Sequence, residues 1–420
     1  MRIACVGAGP GGLYFSILMK LRDPRHEITV YERSAADAKA GWGVTLDHTQ
    51  LDKMARYDRE SAEAIRAIAF VWRQQVTHVR GEQVVKNGDD EFNISRRRLI
   101  DILASRAVDL GVRVEYDVNV RDPSQLPEAD LIVAADGVNS AVRSAVEGFG
   151  TDVTLGTNKY IWLGSNKIFD KFRFIFKETD HGWVWVHTYA IDATSSTFIV
   201  ECSERTWAGL GFDAMSPQEA IGVLEDLFKE DLDGHQIITL GDRAARWLNF
   251  RTVSNENWHV GNVVLLGDSA RTVHFSVGMG TVFAVQDAVT LADSLQEAAD
   301  LEAALQSYEQ QRKRKLKPRL LEAEFSRRWL ENVSENITMN PRHFGVLLYS
   351  RRSPLVHTLP TGLSYLLIKT SGVMMPLHVP RAMAAPAIKA FYNWRKRSRP
   401  QQATASGSPA DIISAAHRKG

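Results

Sequence analysis

Short apolar runs along this chain repeatedly end in glycine and give way to amphipathic stretches. Ile3-Ala4-Cys5-Val6 leads into Gly7-Ala8-Gly9-Pro10-Gly11-Gly12, after which Leu13, Ile17 and Leu21 fall on one helical face. Ile28-Thr29-Val30-Tyr31 ends at Glu32, and Leu131-Ile132-Val133-Ala134-Ala135 ends at Asp136-Gly137. Val263-Val264-Leu265-Leu266 ends at Gly267-Asp268 and is followed by an amphipathic run from Val282 to Leu295. Continuous apolar runs alternating with helical periods predict buried parallel strands in an α/β layer. Between Thr151 and Trp258 the period drops to two, in Phe172–Phe176, Trp183–Tyr189 and Thr197–Glu201, which predicts an inserted antiparallel sheet. One helix interrupts that sheet, where Ser216-Pro217-Gln218-Glu219 forms a capping box with proline in the first turn. A helix opening at Arg96 carries Leu99, Ile102, Leu103 and Leu110 and stops at Gly111. A longer one runs from Leu301 to about Glu335, with a kink expected at Pro318. No internal repeat is evident.

The glycines carry the first candidate chemistry. A strand, a glycine-rich turn and a helix N-terminus let backbone approach a pyrophosphate, whose charge the free N–H groups stabilise. Glu32 lies twenty residues past Gly12, the spacing of a carboxylate on an adenosine ribose hydroxyl. The glycines within the apolar N-terminus and the single preceding Arg2 argue against a secretory signal. Asp136-Gly137 alone reads as an ordinary turn, but Ser140 and Arg143 extend it to a longer motif. Gly267-Asp268, with Gly278-Met279-Gly280-Thr281 and Asp287 beyond, is the third nucleotide-type loop.

In this order and at these separations, the three motifs resemble class A FAD-dependent aromatic hydroxylases of the para-hydroxybenzoate hydroxylase fold. The resemblance covers about the first 330 residues. It implies a Rossmann-like FAD-binding (GxGxxG) domain, an inserted antiparallel-sheet substrate domain and a helical C-terminal region. Gly7, Gly9, Gly12, Glu32 and Arg33 would hold the ADP half, and Arg96 would meet the phosphate or ribityl region. Asp136 and Gly137 would lie near the pyrophosphate and the nicotinamide path, and Asp268 on ribityl or ribose hydroxyls. Gly278, Met279 and Gly280 would face the flavin's pyrimidine edge, where a helix starting near Thr281 favours the negative charge of reduced flavin. The expected boundaries are residues 1–70, 95–150 and 259–335 for the FAD domain and 71–94 with 151–258 for the substrate domain. A basic extension (336–400) and a disordered tail (401–420) rich in Gln, Ala, Ser, Gly and Pro complete the chain.

Where the broader pattern reads GDAAH and then proline, this chain has Arg271 and Phe275. Val273–Gly278, Gly41-Trp42-Gly43-Val44, Asn158–Trp162 and Ser196–Glu204 instead resemble a narrower subgroup. Its members are salicyloyl-CoA 5-hydroxylases, 2-aminobenzoyl-CoA monooxygenases and the tryptophan-hydroxylating enzyme of violacein biosynthesis. Bifunctional members carry a second, reductase-like domain, for which 420 residues leave no room, so hydroxylation alone is expected. The implied chemistry takes electrons from NADPH or NADH, and O₂ forms a C4a-hydroperoxyflavin that attacks an electron-rich ring. The implied substrate is an aromatic acid or its CoA or carrier thioester, with a tryptophan- or indole-type ring as the alternative. A flavin-binding protein without turnover is the rival outside enzymes. Trp183-Val184-Trp185 lacks the Ile-Pro that follows in flavin-dependent halogenases. His187 and His274 are the candidate catalytic residues, each weighed against a structural, hydrogen-bonded role.

Composition narrows the class further. At 44% hydrophobic and 24% charged, the chain is an ordinary globular protein. Cys5 and Cys202 read as buried reduced thiols of a cytoplasmic protein, and no Cys/His spacing suggests a metal. The net charge of +1 hides an asymmetry, since residues 341–420 hold twelve Lys or Arg against one Asp or Glu. Arg351-Arg352 and Arg395-Lys396-Arg397 are its sharpest clusters. They are compatible with a surface for CoA or carrier phosphates, a peripheral membrane contact, or a subunit interface such as that of a homodimer. Nucleic acid is not expected, because no recognition fold accompanies the charge. Leu363–Val379 is too broken by Lys369 and Pro376 for a transmembrane segment.

Overall fold

The structure, a computed structural model, describes residues 1–38, 41–240, 245–358 and 361–370. The apolar runs become a six-stranded sheet. In spatial order its strands are His259–Val260, Val263–Leu265, Leu131–Ala134, Arg2–Val6, Glu27–Tyr31 and Arg113–Glu115. All neighbours are parallel except the first pair. Leu131–Ala134 and Val263–Leu265 are buried throughout, as expected of strands covered on both faces. Helices Pro10–Arg22 and Gly280–Glu297 pack together, and Gly11 lies so close to the second that a Cβ there would stand 3.2 Å from Ala284 Cβ.

The alternating segments form a nine-stranded sheet built from Phe70–Val79, Glu82–Ser95 and the five longer strands between Thr151 and Asn255. It also takes in Ile237–Ile238 and, beyond the expected boundary, Gly43–Asp47, which pairs with Glu82–Ser95. One pair corrects the purely antiparallel expectation: Phe70–Val79 runs parallel to Phe172–Thr179. A parallel pair needs a long crossover, and here residues 80–171, which pass through the first sheet between 96 and 150, supply it.

Alternation gives this sheet two unlike faces. Ile161, Val184, Val186, Phe198 and Val200 pack under Phe212, Leu224 and Phe228 from the helical segment. That segment includes Pro217–Leu227, capped reciprocally by Ser216 and Glu219 as its sequence predicts. Tyr160, Trp162, His187, Phe172 and Phe174 occupy register positions of the opposite face.

The long helix spans Leu301–Glu331, with Pro318 inside it rather than ending it. The basic extension does not begin as a tail. Helix Pro341–Ser350 packs on the larger sheet, with Gly345 against Val84. Tyr349 Oη accepts from Thr77 Oγ1 at 2.9 Å and lies 3.1 Å from the Gln75 carbonyl oxygen. Met1–Arg352 make one compact unit that contains both sheets; the unit from Ser353 onward has helices Pro354–Thr358 and Thr361–Thr370. Arg395-Lys396-Arg397 and residues 401–420 lie outside the described residues, as does the run after Thr370. Among the described residues no helix is long and apolar enough to cross a membrane, and no cluster could hold a metal ion.

Candidate active site

The three glycine loops converge on one cleft, lined by Gly9, Gly12, Arg96, Gly137, Asp268 and Gly280 among others. Gly7 makes the turn possible. Its φ is +105°, and a Cβ there would sit 2.5 Å from the Ala135 carbonyl oxygen. Gly9 has ordinary extended geometry, and a Cβ there would meet nothing within 4 Å. The first glycine is thus demanded by the fold, while the second keeps the cleft open. Glu32 accepts hydrogen bonds from the Ala8 and Ser34 amides, both at 2.9 Å, which fixes it beside the loop. Arg33 is exposed.

The second loop is stapled to the third. Asp136 Oδ2 accepts from the Ala141 amide at 2.8 Å, and Ser140 Oγ accepts from the Arg143 amide at 3.0 Å. Asp136 Oδ1 is buried with no hydrogen-bond partner among the described residues. The Arg143 guanidinium donates to the carbonyls of Val138 and Ser269, both at 2.9 Å. The longer motif is therefore a cross-link between two of the glycine loops as well as a turn.

The third loop rests on a buried ionic triad that the sequence reading missed. Asp287, fully buried, accepts from Arg271 Nη2 at 2.7 Å, Arg312 Nε at 2.6 Å and the Gly267 amide at 3.1 Å. Arg271, the departure from the common pattern, thus anchors the loop that presents Asp268, whose side chain is 48% exposed at the cleft. Asp287 was singled out only as part of the motif, and its two arginines lie 16 and 25 positions away in sequence.

The lining fits a dinucleotide. Helices Pro10–Arg22 and Gly280–Glu297 direct their N-termini at the cleft, and neither has a side-chain cap. The Arg96 guanidinium makes no hydrogen bond among the described residues, although Asp268 and Glu32 stand near enough to favour its charge. A planar cation and two uncapped helix starts around glycine backbone are suited to a pyrophosphate. Gly278, at φ +67°, turns the chain into the second helix, leaving Gly280 and Thr281 at the cleft.

Before that turn lies Phe275, a hub of rings. Its centroid is 4.8 Å from Tyr160, 5.7 Å from His187, 6.2 Å from Trp162 and 4.3 Å from His274. Folding therefore brings the two candidate histidines together across one aromatic ring. His274 Nδ1 accepts from the Ser276 amide at 3.3 Å and lies 2.8 Å from Ser276 Oγ, which assigns the proton to Nε2. His187 Nε2 is 3.5 Å from Glu201 Oε2, too long for a hydrogen bond. Glu201, 1% exposed, is held by Asn158 Nδ2 at 2.8 Å and Trp185 Nε1 at 3.2 Å. It lies in the segment Ser196–Glu204, where period two alone does not distinguish a site residue.

Burial holds both imidazoles below their ordinary pKa. Arg327, His187 and Arg351 push His274 further down, whereas Glu201 partly restores His187. The unfolded chain binds protons that the folded one refuses, so stability is full above about pH 6.5 and falls as pH drops. The slope reaches about 1.4 kcal/mol per pH unit for each histidine. Glu91, raised to about 7 by burial and Asp47, acts in the opposite sense between its unfolded value and neutrality. Replacing His274 with glutamine should flatten the loss of melting temperature between pH 7 and 5.5. An unchanged slope would show that His274 takes up a proton without unfolding.

Fold and cleft together define a nucleotide-binding flavoprotein architecture, and comparisons with known proteins give the family. A family model described as an FAD binding domain matches residues 75–319. Salicyloyl-CoA 5-hydroxylase from a Streptomyces species is 37% identical over 347 residues, which is 80% of this chain and 66% of that protein. Protodeoxyviolaceinate monooxygenase of Chromobacterium violaceum is 30% identical over 87% of this chain and 100% of its own length. The 3-hydroxy-4-methyl-anthranilyl-(aryl-carrier protein) 5-monooxygenase of Streptosporangium sibiricum is 32% identical over 74% of this chain and 84% of its own. Among solved structures, tetrameric 2-methyl-3-hydroxypyridine-5-carboxylic acid oxygenase superposes with a TM-score of 0.65 at 19% identity, covering 84% of this chain and 95% of that one. The chain belongs to the FAD-binding family of class A flavoprotein monooxygenases.

Proposed function

We propose that this chain hydroxylates an aromatic ring carried on coenzyme A or a carrier protein, consuming NAD(P)H and O₂ with FAD as cofactor. One observation carries the reading: the aromatic face of the larger sheet meets Phe275 directly ahead of the Gly278-Met279-Gly280 turn. Gly7, Gly9, Gly12, Glu32 and Arg96 would hold the ADP and phosphate portion, and Asp268 and Gly280 the flavin end. Bound there, FAD supplies reduction by NAD(P)H and activation of O₂.

The chain's own part is positional. Phe275, Tyr160 and Trp162 offer ring faces to a planar substrate and exclude water from it. His274, with Nδ1 engaged by Ser276, presents Nε2–H as a donor that orients a ring hydroxyl or amine. His187, with Nε2 toward Glu201, keeps Nδ1 free to accept the substrate's proton, and the carboxylate then stabilises the imidazolium. His187→Ala should lower kcat by about 100-fold. His274→Ala and Phe275→Ala should instead release more hydrogen peroxide per NAD(P)H consumed. Normal hydroxylation by both histidine variants would remove both assignments.

The thioester part rests on two of the relatives, named for a CoA and a carrier-linked substrate. An indole-type ring is the second reading, favoured by the full-length match to protodeoxyviolaceinate monooxygenase. The deciding assay follows NAD(P)H oxidation and product mass with salicyloyl-CoA, aminobenzoyl-CoA, the free acids and tryptophan. Stimulation by tryptophan alone would transfer the proposal to the second reading, and none at all would overturn both.

A further inference from the structure

The loop that would face the flavin is held from behind by two residues of the basic C-terminal region. Arg351 is buried at 5% exposure, at the end of helix Pro341–Ser350. Its Nη2 donates to the Ser276 carbonyl at 2.7 Å, its Nε to Ser326 Oγ at 2.8 Å and its Nη1 to the Leu348 carbonyl at 2.8 Å. The guanidinium also lies over the Phe174 ring, 5.1 Å from its centroid. Ser326 Oγ lies 2.8 Å from Ser276 Oγ, which in turn lies 2.8 Å from His274 Nδ1. The next residue, Arg352, donates from Nη2 to the Val277 carbonyl at 3.0 Å. Consecutive arginines therefore grip the consecutive carbonyls of residues 276 and 277, immediately before the left-handed Gly278.

We propose that Arg351 and Arg352 form a clamp that positions the 274–280 loop, setting the Met279 and Gly280 amides toward the cofactor and His274 toward the substrate. The physical reason is directional. A peptide carbonyl fixed by a charged donor fixes the plane that also carries the following N–H. With the carbonyls of Ser276 and Val277 held inward, the amides of Val277 and Gly278 are set onto the His274 and Phe275 carbonyls, and the turn at Gly278 delivers Gly280 to the cleft. The three oxygens around Arg351 satisfy its buried charge, and burial lowers its pKa only to about 9, so the clamp stays cationic at neutral pH. Glu91 and Glu322 stand near Arg352 and favour its charge, while Arg319 opposes it. Around His274, the clamp's Arg351 joins Arg327 from the long helix and His187 from the sheet.

The proposal rests on the reading above only in taking the ligand to be FAD. The test is therefore FAD affinity, measured by quenching of flavin fluorescence, together with hydrogen exchange across residues 276–281. Arg352→Met should weaken FAD binding by about tenfold, the worth of one charge-assisted hydrogen bond, and Arg352→Lys should recover most of that. Exchange in the segment should accelerate in the Met variant only. Tyr349→Phe loosens the same helix on the sheet without touching the loop, so it should leave FAD affinity unchanged. Parental affinity and exchange in Arg352→Met, or equal loss in Tyr349→Phe, would overturn the clamp. A chain that binds FAD yet oxidises NAD(P)H with no aromatic substrate would overturn the functional reading and leave the clamp standing.

Discussion

Asp287→Ala should destabilise the protein by about 3–5 kcal/mol, the cost of leaving buried charges without their partner. Asp287 has no exposure and pairs closely with both Arg271 and Arg312, themselves 2% exposed, whereas Asp268 stands 4.0 Å from Arg271. Removing it strands two cations in a low-dielectric interior and also frees the Gly267 amide. The damage should not stay local. Gly267 opens the turn that carries Asp268, and Arg271 Nη1 donates to the Gly267 carbonyl at 3.0 Å, so the third loop loses both of its supports. Urea denaturation and flavin titration should therefore fail together. Asp287→Asn, which keeps the shape and one acceptor, should fall between parent and alanine variant. An alanine variant with parental stability would mean that the triad is solvated in solution.

Gly9→Leu should do the reverse, leaving the fold intact and abolishing cofactor binding. Gly9 has φ −74° and ψ 170°, which any residue adopts, and a Cβ there meets no atom within 4 Å. The added side chain occupies the space over the start of helix Pro10–Arg22, where a pyrophosphate would lie. FAD affinity should fall at least about 100-fold, an affinity loss of about 2.7 kcal/mol, while the apoprotein melts within about 2 °C of the parent. Gly7→Ala gives the contrast. Its positive φ and the nearby Ala135 carbonyl make alanine costly to the fold itself, so stability and affinity should decline together. Retained flavin in Gly9→Leu would move the dinucleotide site away from this loop.

These contrasts mark what could be read before the structure. The three glycine loops, the Glu32 spacing, the capping box at Ser216 and the switch from continuous apolar runs to alternation all depend on neighbours a few residues apart. Local sterics and burial periodicity decide such features, so they survive in a linear reading. His187 and His274 were also legible as candidates, because each stands in a segment resembling the same subgroup. Arg351-Arg352 was legible only as charge. Nothing in a run of basic residues distinguishes a solvated patch from a buried one satisfied by three oxygens.

The strand Gly43–Asp47 shows the same limit, since its pairing with Glu82–Ser95 joins residues 44 to 52 positions apart. So does the parallel pairing of Phe70–Val79 with Phe172–Thr179, which depends on where the crossover returns. By itself, then, the sequence determined most of the elements, the glycine loops and the family. Only the tertiary structure decided that Phe275 stands between two histidines, that Asp287 is shared by two arginines, and that Arg351 reaches Ser276 across 75 positions. The reason is physical: hydrogen bonds and charge pairs are made in space at about 3 Å, and a sequence records order along the chain, not that distance.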